Sequence, residues 1–199
     1  MFKKDIGTMW KLYKTILADP PWEYEDKQSG LASRGAATSA YSVMKLEDIK
    51  KLPIKHIADK DSLLLLWATS PMLLKALEVM RAWGFTYRTI AFVWVKLNPL
   101  AVGMYSGLGS WVNSNVEFVL LGKRGNPERL SRDVKQLIFA PRREHSRKPE
   151  EIFDRVERLS SPPYIELFAR RKRAGWDCWG NEVESDIDLD EIAQLTNGL

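Results

Sequence analysis

The chain has 199 residues, of which 45% are hydrophobic, a composition that supports one well-buried domain and is short for two. Its formal charge of +4 is compatible with a polyanionic partner, and its sole cysteine, Cys178, excludes an intramolecular disulfide and a cysteine-based zinc site. The first residues lack a continuous apolar segment, and no stretch approaches membrane-spanning length. We therefore expect a cytoplasmic protein with no membrane association.

Predicted strands alternate with predicted helices, the pattern of a mostly parallel sheet covered by helices on both faces. Ser70 is predicted to cap the second helix and Gly84 to end it. We therefore expect a single α/β domain. The predicted strands cover residues 14–18, 62–68, 89–96, 117–122, 136–140 and 164–168, and the predicted helices cover residues 46–52, 71–83 and 149–159.

Two long irregular stretches interrupt this order, at residues 23–41 and 97–111. Loops of this length in a compact domain are usually functional or mobile, so the first is either a lid over a pocket or an insertion without a role. Residues 184–199 form an acidic stretch that follows a basic one. We expect one domain over residues 1–183 and an acidic C-terminal tail, which is a frayed helix, a partner-binding end or a mimic of nucleic acid.

The run Asp19-Pro20-Pro21-Trp22 directly follows the first predicted strand. Each proline lacks an N–H and ends the strand, so we expect main-chain carbonyls here that no ladder pairs. An exocyclic amine such as adenine N6 has two N–H donors, of which Asp19 can accept one and a proline carbonyl the other. Trp22 can then hold the ring by stacking, as enzymes that act on extruded bases do. The alternative is a plain turn with Trp22 in the core.

A second group of polar residues surrounds the last predicted strand. Glu166 lies within that strand, where a buried carboxylate is costly unless it is paired or binds a ligand. In open α/β sheets ligands bind beyond the carboxyl ends of strands, and an acid there often takes ribose hydroxyls. Glu166 therefore either contacts a cofactor or forms an internal salt bridge with Arg170. Downstream, Asn181 either holds a ribose or belongs to a capped turn.

Several segments occur in an order that resembles a known family. They are Asp19-Pro20-Pro21-Trp22 and residues 90–96, 145–151, 152–160 and 165–170, followed by Gly180-Asn181. Together they resemble the adenine-N6 methyltransferases whose eukaryotic members write N6-methyladenine into messenger RNA, with bacterial and phage relatives. The resemblance covers roughly residues 14–183. It implies S-adenosylmethionine-dependent methyl transfer on a Rossmann-like sheet with a permuted motif order.

The resemblance also implies roles for individual residues. Asp19 and Pro20 would accept the N6 hydrogens, Tyr41 would stack on the target base, and Lys148 would contact the methionine end of the cofactor. The expected site residues are catalytic Asp19, Pro20, Pro21 and Trp22, cofactor-binding Asp19, Lys148, Glu166, Leu167, Phe168, Arg170, Asn181 and Glu182, and substrate-binding Trp22, Tyr24, Tyr41, Trp67, Trp94, Lys96, Arg143 and His145.

The implied chemistry needs neither a metal nor a side-chain nucleophile. A sulfonium is already an excellent leaving group, so the enzyme has mainly to align nitrogen, methyl and sulfur and to exclude water. The two histidines are too few to build a metal site, and His145 either contacts the substrate or has a structural part. Asp19 favours adenine, because enzymes that methylate cytosine N4 usually carry serine there. Glu182 departs from the family pattern, since larger relatives have glutamine at this position.

The expected partner is nucleic acid. Lysines and arginines concentrate between residues 123 and 173, which is either a track for phosphates or a solvated basic face. DNA is favoured over RNA because the small chain most resembles bacterial and phage members. Two alternatives stay open, namely the same reaction on RNA and a non-catalytic subunit that binds nucleic acid. A homodimer or a heterodimer with a related subunit is compatible with the resemblance.

Overall fold

The computed structural model describes residues 10–24, 43–100, 102–107, 111–143 and 147–196. Within these residues one sheet contains seven strands. Six of them run in the same direction, and the strand that is fourth in chain order runs in the opposite direction. The strands are β1 (Tyr13–Ala18), β2 (Ala58–Ala68), β3 (Thr86–Leu97), β4 (Val116–Arg124), β5 (Leu137–Pro141), β6 (Tyr164–Leu167) and β7 (Trp176–Trp179). Their order across the sheet is β5-β3-β4-β2-β1-β6-β7.

Helices cover both faces of this sheet. Side chains of α1, α2, α3 and α5 share a hydrophobic cluster with Ile16 and Leu64, whereas α4 packs in a second cluster with Leu17 and Leu65. Successive strand residues point to opposite faces, so the two clusters lie on either side of the sheet. The structure thus confirms the predicted α/β fold with its mostly parallel sheet. The helices are α1 (Leu46–Lys51), α2 (Ile54–Ile57), α3 (Leu73–Ala82), α4 (Glu151–Leu159) and α5 (Leu189–Thr196).

The ends of α3 differ in how well the sequence predicts them. Ser70 does not cap the helix as predicted, because the chain first makes a 3₁₀ turn over Ser70–Met72, which the Met72 N–H closes by donating to the Thr69 carbonyl at 3.0 Å. Gly84 ends the helix as predicted. Its φ of +84° is in the left-handed region, and the next residue, Phe85, donates back to the Met80 carbonyl at 2.9 Å.

Two elements near the C-terminus go beyond the predicted strands and helices, although a frayed helix was one of the alternatives for the acidic tail. Residues 176–179, which lie outside the predicted strands, form β7, a four-residue strand parallel to β6. Helix α5 lies within the acidic stretch, where acids face solvent and Leu189 and Ile192 are 0% and 4% exposed in the core. The domain boundary at residue 183 stays a prediction, but the helix beyond it packs on the sheet domain.

The topology decides where a site can form. Strand β1 lies between β2 and β6, so chain connections diverge from its carboxyl end, the position where open α/β sheets bind ligands. Asp19 leaves β1 at this point, with its N–H donating to the Leu167 carbonyl at 3.4 Å. Because β4 runs in the opposite direction, its first residues reach the same edge, and Glu117 follows directly beside the end of β2.

Packing of α5 can be tested with two leucines on the same helix. Leu189→Ala should lower the free energy of unfolding by about 2–3 kcal/mol because it empties a fully buried position. Leu195→Ala, at a position 44% exposed, is the matched control and should cost about 0.5 kcal/mol. Urea unfolding followed by circular dichroism measures both. Equal losses would show that Leu189 does not anchor the helix.

Candidate active site

A cavity of about 510 Å³ opens at the carboxyl edge of the sheet, where β1, β2, β6 and β7 end. This volume is within the range of small-molecule sites. Val43, Met44, Thr69 and Glu117, none of which was predicted, contribute to its walls. The predicted residues that the cavity brings together are Asp19, Pro20, Pro21, Trp22, Tyr24, Trp67, Lys148, Phe168, Arg170, Asn181 and Glu182.

Asp19 forms the charged centre of the cavity. Its Oδ2 atom lies 2.8 Å from Lys148 Nζ, and both side chains are mostly buried, with 28% and 17% exposed. Burial raises the pKa of Asp19 above its ordinary value, and the Lys148 ammonium offsets this only in part. Burial lowers the pKa of Lys148, but Asp19 and Glu117 raise it by more, so the lysine stays charged. The cavity therefore holds a fixed carboxylate–ammonium pair.

The proline carbonyls beside Asp19 are not unpaired, contrary to the prediction. The Trp22 N–H donates to the Pro20 carbonyl at 2.9 Å, and the Met44 N–H donates to the Pro21 carbonyl at 2.9 Å. The turn closes on itself and on a bridge between Trp22 and Met44, which sequence spacing does not reveal. Each carbonyl oxygen has two lone pairs, so Pro20 retains the capacity to accept one more hydrogen bond.

Aromatic side chains line the cavity that contains Asp19. Trp22 belongs both to the core and to the cavity wall, since it is 7% exposed and its indole N–H donates to the Trp67 carbonyl at 3.3 Å. Lys148 Nζ lies 5.4 Å from the ring centre of Trp67. At the rim, the Tyr24 hydroxyl lies 2.9 Å from Thr69 Oγ1, and the tyrosine is 48% exposed. These surfaces can hold a flat, uncharged ring.

Phe168 forms another wall in a strained backbone conformation. Its φ of +62° is in the left-handed region that residues other than glycine rarely adopt. The ring packs edge-on against Trp179, with centroids 5.3 Å apart. Backbone strain of this kind tends to occur at functional sites, where the surrounding packing maintains it.

A polar rim lies between the ends of β6 and β7. Arg170 Nε lies 3.0 Å from Glu182 Oε1, so the arginine pairs with Glu182 rather than forming the alternative salt bridge with Glu166. Asn181 lies beside this pair in the cavity wall. The rim thus offers an amide, a carboxylate and a guanidinium, which together match hydroxyl groups of a sugar. A charged sulfonium ligand with a ribose fits a cavity that has both acids and aromatic walls.

Five predicted residues lie outside the cavity wall. Trp94 is 3% exposed and donates its indole N–H to the Ala140 carbonyl at 2.9 Å, while Lys96 pairs with Glu117 at 2.6 Å. Leu167 is buried in the core, and Arg143 lies exposed beyond β5. The fifth, Glu166, lies on the sheet face that α4 covers. Tyr41 and His145 are outside the described residues.

Glu166 carries a perturbed carboxyl group. Burial raises its pKa to about 7, and the nearby acids Asp19 and Glu150 add to this effect while Arg171 and Arg173 oppose it. Glu150 itself forms ion pairs with three arginines, Arg147 at 3.0 Å, Arg171 at 3.2 Å and Arg173 at 3.5 Å. Glu166 therefore interacts electrostatically with Asp19 although it does not line the cavity.

Glu117 is a charged residue of the cavity wall that sequence reasoning missed. It is 9% exposed at the start of β4, and its two oxygens lie 2.6 Å from Lys96 Nζ and 3.3 Å from Lys148 Nζ. Burial raises the pKa of Glu117, but the ammonium groups of Lys148 and Lys96 lower it by more. An acid at the start of an otherwise apolar strand was the available signal. The sequence alone could not assign this acid to the cavity, because its position there depends on the reversed direction of β4.

The basic residues between 123 and 173 divide into two groups. The first group makes side-chain ion pairs or hydrogen bonds within the protein, and the second group is exposed, with the Arg142 guanidinium 3.9 Å from the ring centre of Tyr105. Contacts involve Arg124 with the Lys55 and Ala58 carbonyls, Arg158 with Asp133, Arg171 and Arg173 with Glu150, and Lys172 with Asp186. Exposed positions include Arg129, Arg132, Lys135, Arg142 and Arg143.

In the described ranges of the chain, no helix has the length and apolar character needed to cross a membrane. A mixed seven-stranded sheet with one reversed strand and a ligand cavity at its carboxyl edge is the architecture of a Rossmann-like methyltransferase. The chain belongs to the MT-A70 family of adenine-N6 methyltransferases, whose family model matches residues 13–182. That match begins at the first residue of β1 and ends at Glu182 in the cavity wall.

Individual relatives agree with this assignment. The Type II methyltransferase M.MunI of Mycoplasma sp is 34% identical over 192 residues, which cover 87% of this chain and 78% of that protein. The N(6)-adenosine-methyltransferase subunit METTL3 of Danio rerio is 31% identical over 191 residues, and human METTL3 is 29% identical over 198 residues. The chain spans 30% and 32% of those two longer proteins. This protein is therefore a methyltransferase, and methyltransferases of its family use S-adenosylmethionine.

Ionisation of Glu166 should reduce stability near neutral pH. Its folded pKa of about 7 exceeds the ordinary value of 4.5, so the folded state keeps a proton that the unfolded chain releases. The free energy of unfolding should therefore fall as pH rises through this interval. Glu166→Gln removes the effect, and its stability relative to wild type should increase by about 2 kcal/mol between pH 5 and pH 8.

Chemical denaturation at pH 5, 6, 7 and 8 provides the measurement. Glu184→Gln is the control, since the Glu184 side chain is 92% exposed, and its difference from wild type should stay constant across this range. A Glu166→Gln difference that is also constant with pH would contradict the assignment of a raised pKa to this carboxyl.

Proposed function

We propose that this protein transfers a methyl group from S-adenosylmethionine to the N6 amine of adenine in DNA. The observation that carries the proposal is the partly buried Asp19 carboxylate in the turn with Pro20, in a cavity with aromatic walls. An amine with two N–H groups and a flat ring is the ligand that this combination of acceptors and rings fits.

The acceptor side of the cavity prepares the nitrogen. If Asp19 accepts one N6 hydrogen and the remaining lone pair of Pro20 accepts the other, the amine can pyramidalise. Its lone pair then leaves the conjugated ring system and becomes nucleophilic. Trp22 and Tyr24 line the cavity and would contact the ring, with the half-exposed Tyr24 at the solvent side. The protein thus activates the amine by geometry rather than by a strong base.

The reaction balances without a further reagent. When bound, S-adenosylmethionine would supply a methyl group on a sulfonium, whose C–S bond breaks with both electrons going to sulfur. The N6 lone pair forms the new N–C bond, and the cationic nitrogen then loses one proton. The Asp19 carboxylate would accept that proton, and burial makes it a better acceptor by raising its pKa.

The other side of the cavity offers groups for the cofactor. Lys148 would supply an ammonium for the carboxylate of the methionine part, and Asn181 and Glu182 would bind the ribose hydroxyls; all three line the cavity. Arg170 fixes Glu182 through their ion pair at 3.0 Å. Glu182 can accept hydrogen bonds from sugar hydroxyls as a glutamine would, so its departure from the family pattern is compatible with this role.

DNA is the proposed carrier of the adenine. M.MunI, a type II methyltransferase by name, is 34% identical to this chain, compared with 31% and 29% for the METTL3 proteins of Danio rerio and human. Exposed Arg142 and Arg143 follow β5 and can contact phosphates. RNA is the second candidate, supported by the N(6)-adenosine-methyltransferase relatives.

Removal of the Asp19 carboxylate should abolish most activity. Asp19→Ala loses the acceptor for the N6 hydrogen, and kcat/KM should fall by roughly 10³-fold. Asp133→Ala is the control, because that carboxylate is 70% exposed and pairs with Arg158 at the surface. Transfer of label from S-adenosylmethionine to adenine-containing DNA measures both variants. An Asp19→Ala enzyme as active as wild type would refute the assigned role.

The choice between nucleic acids can be measured directly. With equimolar duplex DNA and single-stranded RNA of matching sequence, most of the label should appear in DNA as N6-methyladenine. Label found mainly in RNA would replace the first candidate by the second. Absence of transfer to both acceptors, with intact cofactor binding by calorimetry, would instead support a non-catalytic subunit.

A further inference from the structure

Large apolar side chains are exposed on the β3–β4 connection, whose described parts are residues 98–100, 102–107 and 111–115. Trp111 is 96% exposed, more than any other large hydrophobic side chain in the described ranges. Single exposed apolar residues are ordinary at a protein surface, but five in one connection indicate a contact surface. The five residues are Leu100, Val102, Met104, Trp111 and Val112.

Backbone hydrogen bonds give this connection a defined shape. The Tyr105 N–H donates to the Lys96 carbonyl at 2.8 Å, and Gly107 and Ser114 exchange two backbone hydrogen bonds at 3.0 and 3.1 Å. Glycine suits this close pairing, because a Cβ atom on Gly107 would lie 2.6 Å from the Ser114 carbonyl oxygen. The exposure of the apolar side chains therefore follows from the way the connection folds.

The β3–β4 connection lies at the same edge of the sheet as the cavity. It leaves β3 after Leu97 and returns to β4 at Val116, next to Glu117 in the cavity wall. Trp111 precedes Glu117 by six positions, so the Cα atoms of the two residues are at most about 22 Å apart. At about 3.4 Å per base pair, this distance corresponds to about six base pairs of a duplex. DNA that delivers an adenine to the cavity would therefore reach the connection.

The charges around the connection favour DNA as its partner. Residues 97–116 contain no charged side chain, so no carboxylate there repels phosphates. Arg142 directly follows β5, with its guanidinium 3.9 Å from the ring centre of Tyr105, and the next residue, Arg143, is also exposed. An apolar surface bordered by cations complements a duplex, in which phosphates flank the stacked bases.

A second copy of this chain is a less suitable partner for the same surface. Most homodimers have two-fold symmetry, so the same patch of each copy would face the other. Arg142 and Arg143 of both copies would then approach one another, and the juxtaposition of like charges is unfavourable. The connection contains no acid that could pair with these arginines.

We propose that the β3–β4 connection contacts DNA and that Trp111 stacks on bases that lose a neighbour when the target adenine leaves the duplex. This inference rests on the proposed function, because the extruded adenine is the one that Asp19 binds. Extrusion breaks base stacking, and an aromatic side chain beside the opened base step replaces part of it. Arg142 contacts a neighbouring phosphate and is oriented by the Tyr105 ring.

Substitutions of Trp111 separate stacking from simple apolar contact. Trp111→Ala should lower kcat/KM for methylation of plasmid DNA from a host without adenine methylation roughly tenfold, the size of one aromatic–base stacking contact. Trp111→Phe keeps a ring and should retain most of the activity, whereas Trp111→Leu keeps only apolar character and should fall nearly as far as alanine. Affinity for S-adenosylmethionine, measured by calorimetry, should not change because Trp111 does not line the cavity.

Tyr87→Ala is the matched control for the loss of an exposed ring. Tyr87 is 42% exposed, but it lies at the start of β3, at the opposite edge of the sheet from the cavity. Its variant should methylate plasmid DNA with the kcat/KM of the wild type. A loss equal to that of Trp111→Ala would show that removing any exposed ring impairs the protein, and would contradict a specific contact at Trp111.

The salt dependence of binding distinguishes the phosphate contact from the stacking contact. Fluorescence anisotropy with a labelled duplex measures the affinity, whose logarithm falls linearly with the logarithm of salt concentration by about 0.9 for each phosphate contact. Arg142→Gln should reduce this slope by about 0.9. Trp111→Ala should weaken binding without changing the slope.

The possible outcomes are distinct. An active wild type whose kcat/KM and duplex affinity are unchanged in Trp111→Ala would overturn the stacking role alone. A wild type that sediments as a dimer, and as a monomer after Trp111→Ala, would show that a second copy covers this surface and would also overturn it. A wild type that methylates no DNA would overturn the proposed function, and the anisotropy measurement would then still decide whether the connection contacts DNA.

Discussion

The burial of β1 on both faces is the constraint on which the rest of the structure depends. Its residues pair with β2 on one side and β6 on the other, and Ile16 and Leu17 belong to different hydrophobic clusters. A strand held on four sides has little freedom, so the point at which Asp19 emerges is fixed. The site therefore gains its accuracy from apolar packing that makes no contact with a ligand.

Strand β4, which runs opposite to the other strands, brings a strand residue to the cavity in a way that the parallel strands cannot. Parallel strands present only their carboxyl ends at one edge, so every side chain there follows a strand. Because β4 enters the sheet from that edge, it places Glu117 at the level of strand residues rather than in a loop. A carboxylate on a strand is held more firmly than one on a loop, which suits a residue that has to hold a lysine in place.

Features set by residues close in sequence could be predicted, whereas features set by contacts between distant residues could not. Local signals such as the apolar run before Asp19 and the glycine after α3 identified strands and a helix end correctly. Lys148 was associated with the site only through a family resemblance, because no local pattern links it to the other site residues. The partners of Pro20 and the position of Glu117 depend on strand direction and on contacts across the sheet, which composition and periodicity do not encode.

Because Phe168 has a positive φ, the same residue affects both the stability of the protein and the shape of its cavity. A glycine there would relieve strain of about 1 kcal/mol or more and could make the fold more stable, yet it would delete the ring that packs on Trp179. Selection for heat resistance and selection for ligand binding would thus pull this position in opposite directions. Variants chosen only for thermal stability would tend to lose this wall of the cavity.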